Sequence, residues 1–119
     1  DDPRYRIQWR KQVKAPSHHL MDVVDSITVL AYRNFAAGKN GVIQIVQGEL
    51  DYADRLGKLV IVGQETQPDL YPAYVTYGGT SEDYFRGEIK KISEALSGHR
   101  GFGGFAIHHY ESFKELVDG

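Results

Sequence analysis

Side chains suited to acid–base chemistry collect at three points, each at the end of an apolar stretch. The carboxylate of Glu65 can act as a nucleophile or as a general acid or base in acetal cleavage, and tyrosine and histidine neighbours can hydrogen-bond to it. We therefore predict that Glu65 is the catalytic residue. The predicted substrate-binding residues are Tyr32, Arg33, Asn34, Gln64, Tyr77, His108, Tyr110 and Glu111.

Alternation along the apolar stretches predicts which of these side chains meet. Successive side chains of a strand point to opposite faces, so Glu65 shares a face with Gly63. His108 and Tyr110 share a face in the same way, and Tyr32 lies at the end of the first stretch. The carboxyl ends of parallel strands form the functional edge of an α/β sheet. We expect four side chains to converge at this edge: Tyr32, Glu65, His108 and Tyr110.

Three strands alternating with helices would position this site. The first two strands are apolar on both faces, which is typical of strands covered by helices on both sides. Strand–helix–strand order predicts right-handed crossovers and a parallel sheet, either open and doubly wound or closed as a barrel. The predicted strands are 26–32, 58–63 and 102–107, and the predicted helices are 18–24, 43–56, a segment that Thr80 caps and that ends before Gly98, and 112–117.

Alternative roles remain open for several of these residues. Glu65 can instead be a cap, a loop anchor or an ion-pair partner, and Tyr77 can pack the loop onto the protein rather than stack on a sugar. His108 and His109 are adjacent, so a straight strand would point them to opposite faces. We therefore predict no metal site and no cofactor.

Composition narrows the classes of partner. The 119 residues carry a net charge of −2 and no cysteine, so a disulfide framework and a thiol nucleophile are excluded. Lysine and arginine are scattered among acidic residues, and no apolar stretch is long enough to cross a bilayer. We expect a soluble chain with neither a nucleic-acid nor a membrane partner, and the compartment stays open, secretion included.

Parts of the sequence resemble barrel glycoside hydrolases. Residues 20–33 are similar to the sixth-strand region of the chitinase-like family 18, in which a tyrosine at the position of Tyr32 binds substrate. Residues 61–66 resemble the seventh strand of retaining hydrolases, in which a terminal glutamate, here Glu65, is the nucleophile. Residues 106–112 resemble the eighth strand of such proteins.

This resemblance implies an α/β fold of parallel β/α units, corresponding to about strands 6 to 8 of a (β/α)₈ TIM barrel. The expected organisation is a single domain over residues 1–119, with an irregular lead-in over 1–17. The implied function is hydrolysis or binding of a glycan at the C-terminal ends of the strands, with a carbohydrate as partner. The alternative is a noncatalytic scaffold or carbohydrate-binding module that assembles through its open sheet edges, as a homo-oligomer or with the remainder of a split barrel. A third reading is an open flavodoxin-like sheet that binds a small ligand.

Overall fold

The computed structural model describes residues 3–118. Short 3-10 turns cover Pro3–Tyr5 and Ala73–Val75. The strands are β1 (Ile7–Trp9), β2 (Gln12–Lys14), β3 (Ser26–Leu30), β4 (Leu59–Glu65) and β5 (Phe102–His108). The helices are α1 (Pro16–Met21), α2 (Val42–Leu56), α3 (Glu82–Leu96) and α4 (Tyr110–Asp118).

The strands form two separate sheets. β1 and β2 pair in antiparallel fashion, and β3, β4 and β5 form a parallel sheet in that order. The prediction of TIM-barrel strands 6 to 8 is therefore wrong, because this is a small α/β protein with a two-stranded antiparallel sheet and a three-stranded open sheet. Strand–helix–strand order requires parallel pairing between neighbours, but it does not require the sheet to close.

Residues 3–14, for which the sequence predicts irregular chain, form a turn and the β1–β2 hairpin. Its two connecting residues, Arg10 and Lys11, have φ values of 50° and 64°. Positive φ at both central residues is what a tight hairpin turn needs, although glycine and asparagine usually supply it. Lys14 Nζ hydrogen-bonds to the hydroxyl of Tyr52 on α2 at 2.6 Å, which attaches the hairpin to the rest of the protein.

Helices α2 and α3 cover one face of the parallel sheet. Val60 and Val62 of β4 are completely buried in a core that also contains Val46 of α2 and Ile92 of α3. Helix α2 ends at Gly57, whose φ of 70° is the left-handed conformation that commonly stops a helix. Helix α3 begins after Ser81, whose hydroxyl accepts a hydrogen bond from the Tyr84 backbone N–H at 3.1 Å, so the cap is Ser81 rather than the predicted Thr80.

The opposite face of the sheet is open along β3. Ser26, Thr28 and Leu30 point to this face and are exposed, with Leu30 at 66%. A parallel sheet is normally covered on both faces, so a bare face is available to a ligand or partner. Within residues 3–118, no helix has the length and apolar character needed to span a bilayer.

Candidate functional site

A pocket of 340 Å³ lies on the bare face of the sheet, toward the C-terminal ends of the strands. It is lined by residues of all three strands, including Gly63 of β4, and by His109 and Tyr110, where β5 passes into α4. This is the edge at which open parallel sheets bind ligands. The lining residues are Thr28, Leu30, Tyr32, Gly63, Ala106, Ile107, His108, His109 and Tyr110.

Glu65 and His108 form a hydrogen-bonded pair beside this pocket. They are direct partners in the register between β4 and β5, so the sheet itself sets their distance. His108 Nδ1 lies 3.0 Å from Oε1 and 2.9 Å from Oε2 of Glu65. The glutamate side chain is only 5% exposed, whereas the histidine ring is 52% exposed. The carboxylate therefore lies beneath the ring, and the ring faces the pocket.

The Glu65 carboxylate also anchors the chain that follows β4. Its Oε1 accepts hydrogen bonds from the backbone N–H groups of Thr66 at 3.1 Å and Gln67 at 2.9 Å. These bonds satisfy a buried carboxylate that would otherwise be costly to desolvate. Glu65 thus holds both the loop after β4 and the His108 imidazole in place. This arrangement is closer to the predicted alternative of a loop anchor than to an exposed nucleophile.

Two tyrosines contribute to the same pocket in different ways. Tyr32 is half-buried, and burial, followed by the negative charge of Glu65, raises the pKa of its hydroxyl. A tyrosine hydroxyl is already protonated at neutral pH, so it can donate a hydrogen bond here. Tyr110 is 75% exposed at the rim, so its ring face is available for stacking.

His109 joins the pocket although alternation places it on the other face. The chain leaves the β5 strand at this residue, through a cis peptide bond, and the rings of His108 and His109 lie 5.1 Å apart. His109 caps α4: its Nδ1 accepts from the Ser112 N–H at 3.2 Å, and Ser112 Oγ accepts from the His109 N–H at 3.2 Å. Histidine is not among the preferred N-cap residues, so the sequence carries no strong signal for this departure.

Two predicted binding residues are buried outside the pocket. Gln64 is fully buried, and its Nε2 donates to the carbonyl of Ala31 at 2.7 Å, which ties β4 to the end of β3. Tyr77 is also fully buried and packs edge-on against Phe85, with ring centroids 5.0 Å apart. Burial, and then the charge of Glu88, raises the pKa of the Tyr77 hydroxyl. Both side chains serve packing in this structure.

Three further predicted residues lie near the sheet edge but do not line the pocket. Arg33 donates to the Tyr32 carbonyl at 2.9 Å, and its guanidinium lies 4.9 Å from the ring centroid of Tyr74. Asn34 Nδ2 donates to the Thr76 carbonyl at 3.0 Å, which holds the long loop against the end of β3. Glu111 is exposed on the first turn of α4.

A second cavity, of 410 Å³, lies between the loop at 78–82 and α4. Two hydroxyls that line it, Thr66 Oγ1 and Ser112 Oγ, are 2.7 Å apart and hydrogen-bond to each other. Thr66 Oγ1 also donates to the His108 carbonyl at 2.8 Å. These groups therefore join the ends of β4 and β5 and leave little hydrogen-bonding capacity for a ligand.

A second histidine–carboxylate pair, which sequence reasoning missed, lies at the start of β5. His99 Nδ1 is 2.6 Å from Asp54 Oδ2, and Asp54 Oδ1 accepts from the Gly101 N–H at 2.7 Å. Asp51, Asp54 and His99 offer three possible metal-ligand atoms within 4.8 Å of one another. Gln47 Nε2 lies 3.0 Å from Asp51 Oδ1 and 3.3 Å from His99 Nε2, so the cluster is already linked internally.

Comparison of the chain with protein-family models, curated proteins and solved structures finds no match.

Proposed function

We propose that this protein binds a carbohydrate in the pocket at the C-terminal ends of the parallel strands. The observation that carries the proposal is the composition of the pocket wall: exposed Tyr110, half-buried Tyr32 and the paired His108 surround a concave surface over the bare sheet. Its 340 Å³ is at the small end of the range for small-molecule sites, which suits one or two sugar rings.

The chemistry of these side chains matches that of a sugar. One face of a pyranose is lined by C–H groups and can lie against an aromatic ring such as that of Tyr110, whereas its rim of hydroxyls needs hydrogen-bond donors and acceptors. Tyr32 supplies a donor and His108 supplies a ring nitrogen. Apolar contact from Leu30 extends the wall.

The lack of carboxylates among the pocket-lining residues favours sugar binding over glycoside cleavage. Hydrolysis of a glycosidic bond commonly uses two carboxyl groups on either side of the bond. Glu65 is buried beneath His108, and none of the pocket-lining residues carries a carboxylate. Glycan recognition without glycosidic cleavage is therefore the function that we assign to the pocket.

Isothermal titration calorimetry with a panel of neutral mono- and disaccharides tests this proposal. Loss of the stacking ring in Tyr110→Ala should weaken binding by about 0.5–1.5 kcal/mol, or roughly 2- to 12-fold. Tyr5→Ala is the matched control, because Tyr5 is 64% exposed but precedes the β1–β2 hairpin. Failure of every sugar to bind, or equal affinity of Tyr110→Ala and the wild type, would contradict the proposal.

A further inference from the structure

The Glu65 carboxylate is fully engaged by the protein. Oε1 accepts from two backbone N–H groups, and both oxygens lie within 3.0 Å of His108 Nδ1. With only 5% of its side chain exposed, it cannot reach a bound sugar. Its remaining effect on a ligand must pass through His108.

Pairing with Glu65 fixes the protonation pattern of the His108 ring. A carboxylate only accepts hydrogen bonds, so the Nδ1 atom facing it carries the proton and Nε2 keeps the lone pair in the neutral ring. Within residues 3–118 no hydrogen bond is made to His108 Nε2, and half of the ring is exposed at the pocket. A histidine held by a buried carboxylate with its far nitrogen free is the arrangement of a general base.

Tyr32 adds a hydrogen-bond donor to the same pocket. It lines the pocket together with His108, and a tyrosine hydroxyl is protonated at neutral pH. A neutral phenol can donate to an oxygen that gains negative charge during a reaction, and it cannot donate once ionised. The pocket thus combines a base at His108 with a donor at Tyr32.

We infer that the pocket hydrolyses the ester bond of an O-acylated sugar, with His108 as general base, Glu65 as the positioning residue and Tyr32 as the donor to the carbonyl oxygen. This inference rests on the proposed carbohydrate binding. Water attacks the acyl carbon while His108 Nε2 takes its proton, and the carbonyl oxygen becomes an oxyanion that accepts from Tyr32. The C–O bond to the sugar then breaks, the proton on His108 passes to the sugar oxygen, and a carboxylic acid and a free hydroxyl leave.

An ester suits this pocket better than a glycosidic bond does. Ester hydrolysis can proceed with one base that returns its proton to the leaving oxygen, as a histidine does in acyl transfer. Glycosidic cleavage commonly uses a carboxylic acid at the leaving oxygen as well as a second carboxylate. His108 is the only side chain in the pocket wall that pairs with a buried carboxylate.

The test is acetate release from mono-O-acetylated methyl glucosides, followed by proton NMR. These alkyl esters are used because free imidazole already cleaves activated aryl esters. His108→Asn keeps a side-chain N–H for Glu65 but lacks the second ring nitrogen, so it should lose at least roughly 100-fold in kcat. His99→Asn is the control, since His99 belongs to the other histidine–carboxylate pair, and its kcat should equal that of the wild type.

Glu65→Gln separates positioning from folding. It should lower kcat by roughly 100-fold or more with little change in KM, because the amide no longer imposes the productive tautomer. Nitrogen-15 NMR of the ring should show an Nδ1–H tautomer in the wild type and loss of that preference in the variant. Rate loss with an unchanged tautomer would overturn the role of Glu65.

The outcomes distinguish this inference from the function on which it rests. Sugar binding without acetate release above the buffer rate would overturn the inference and leave the proposed binding intact. Neither binding nor release would overturn both. Release that survives in His108→Asn, with the fold verified by circular dichroism, would overturn the assignment of the base.

Discussion

Within residues 3–118, two histidine–carboxylate pairs of the same chemistry lie at opposite ends of β5. His99 precedes the strand and pairs with Asp54 at 2.6 Å, whereas His108 ends the strand and pairs with Glu65 at 2.9 Å. The His99 ring is 19% exposed and the His108 ring is 52% exposed. In the first pair Nε2 also contacts Gln47, so both nitrogens of the ring are engaged.

This difference shows that a histidine–carboxylate pair acquires a role from what surrounds it. Around His99, the Gly101 N–H and Gln47 close the network, and the pair fastens the start of β5 to α2. Around His108, the second nitrogen opens onto a pocket. We therefore assign the first pair to stability and the second to ligand chemistry.

The largest expected effect on folding comes from breaking the Asp54–His99 pair, which we call the closed pair because both ring nitrogens of His99 are engaged. Asp54→Ala removes the acceptor for the N–H of Gly101, a buried residue, and for His99 Nδ1. An unsatisfied buried donor costs about 1–3 kcal/mol, so the free energy of unfolding in urea should fall by that amount. His108→Asn keeps a side-chain N–H for Glu65 and changes a half-exposed side chain, so it should cost less than about 0.5 kcal/mol. Equal destabilisation by the two variants would contradict the division of roles.

A smaller effect is expected on sugar affinity when the pocket beside the Glu65–His108 pair is altered. Gly63 lines the pocket, and a Cβ there would lie 3.1 Å from Leu30 Cδ2 and 3.2 Å from the Val29 carbonyl oxygen, so Gly63→Ala both takes up pocket space and requires a small shift of β3. One added methyl group should weaken sugar binding by about 1 kcal/mol, or roughly fivefold, measured by calorimetry. Gly87→Ala is the control, because its Cβ would meet nothing within 4 Å. Unchanged affinity in Gly63→Ala would place the sugar elsewhere.

The smallest effect is the acid dependence of the closed pair. Burial of Asp54 opposes its charged form, but hydrogen bonds from the Gly101 N–H and from His99 outweigh it and lower the pKa of the carboxyl. A lowered carboxyl pKa adds stability above the unfolded-state value, and this is lost as pH falls through the folded value. Below about pH 4, wild-type stability should therefore fall more steeply than that of Asp54→Asn. Identical slopes in urea titrations would contradict this prediction.

Sequence periodicity predicts much of the parallel sheet and part of the site. The three strands and two long helices lie close to the bounds that apolar spacing predicts, because each buries a continuous face. Alternation places Glu65 and His108 on one face, and the register between β4 and β5 makes them direct partners. Local strand–helix order carries no information on sheet closure, so the barrel prediction failed.

Other features depend on tertiary contacts that the sequence pattern does not encode. The hairpin strands contain three residues each, which is too few for a period, and the turn uses Arg10 and Lys11 instead of glycine. Tyr77 looks like a surface loop residue but fills a space against Phe85. The Asp54–His99 pair joins residues 45 positions apart, so no local motif predicts it.

The central claim is that the Glu65–His108 pair serves sugar binding and the Asp54–His99 pair does not. Histidine side-chain NMR during titration with a neutral sugar tests it most directly, because the signals of both histidines appear in one spectrum. Carbohydrate binding in the pocket predicts that the ring signals of His108 and His109 shift with sugar concentration while those of His99 stay unchanged. Shifts at His99 alone, or no shift at His108 under saturating sugar, would contradict the assignment of the Glu65–His108 pair to ligand chemistry.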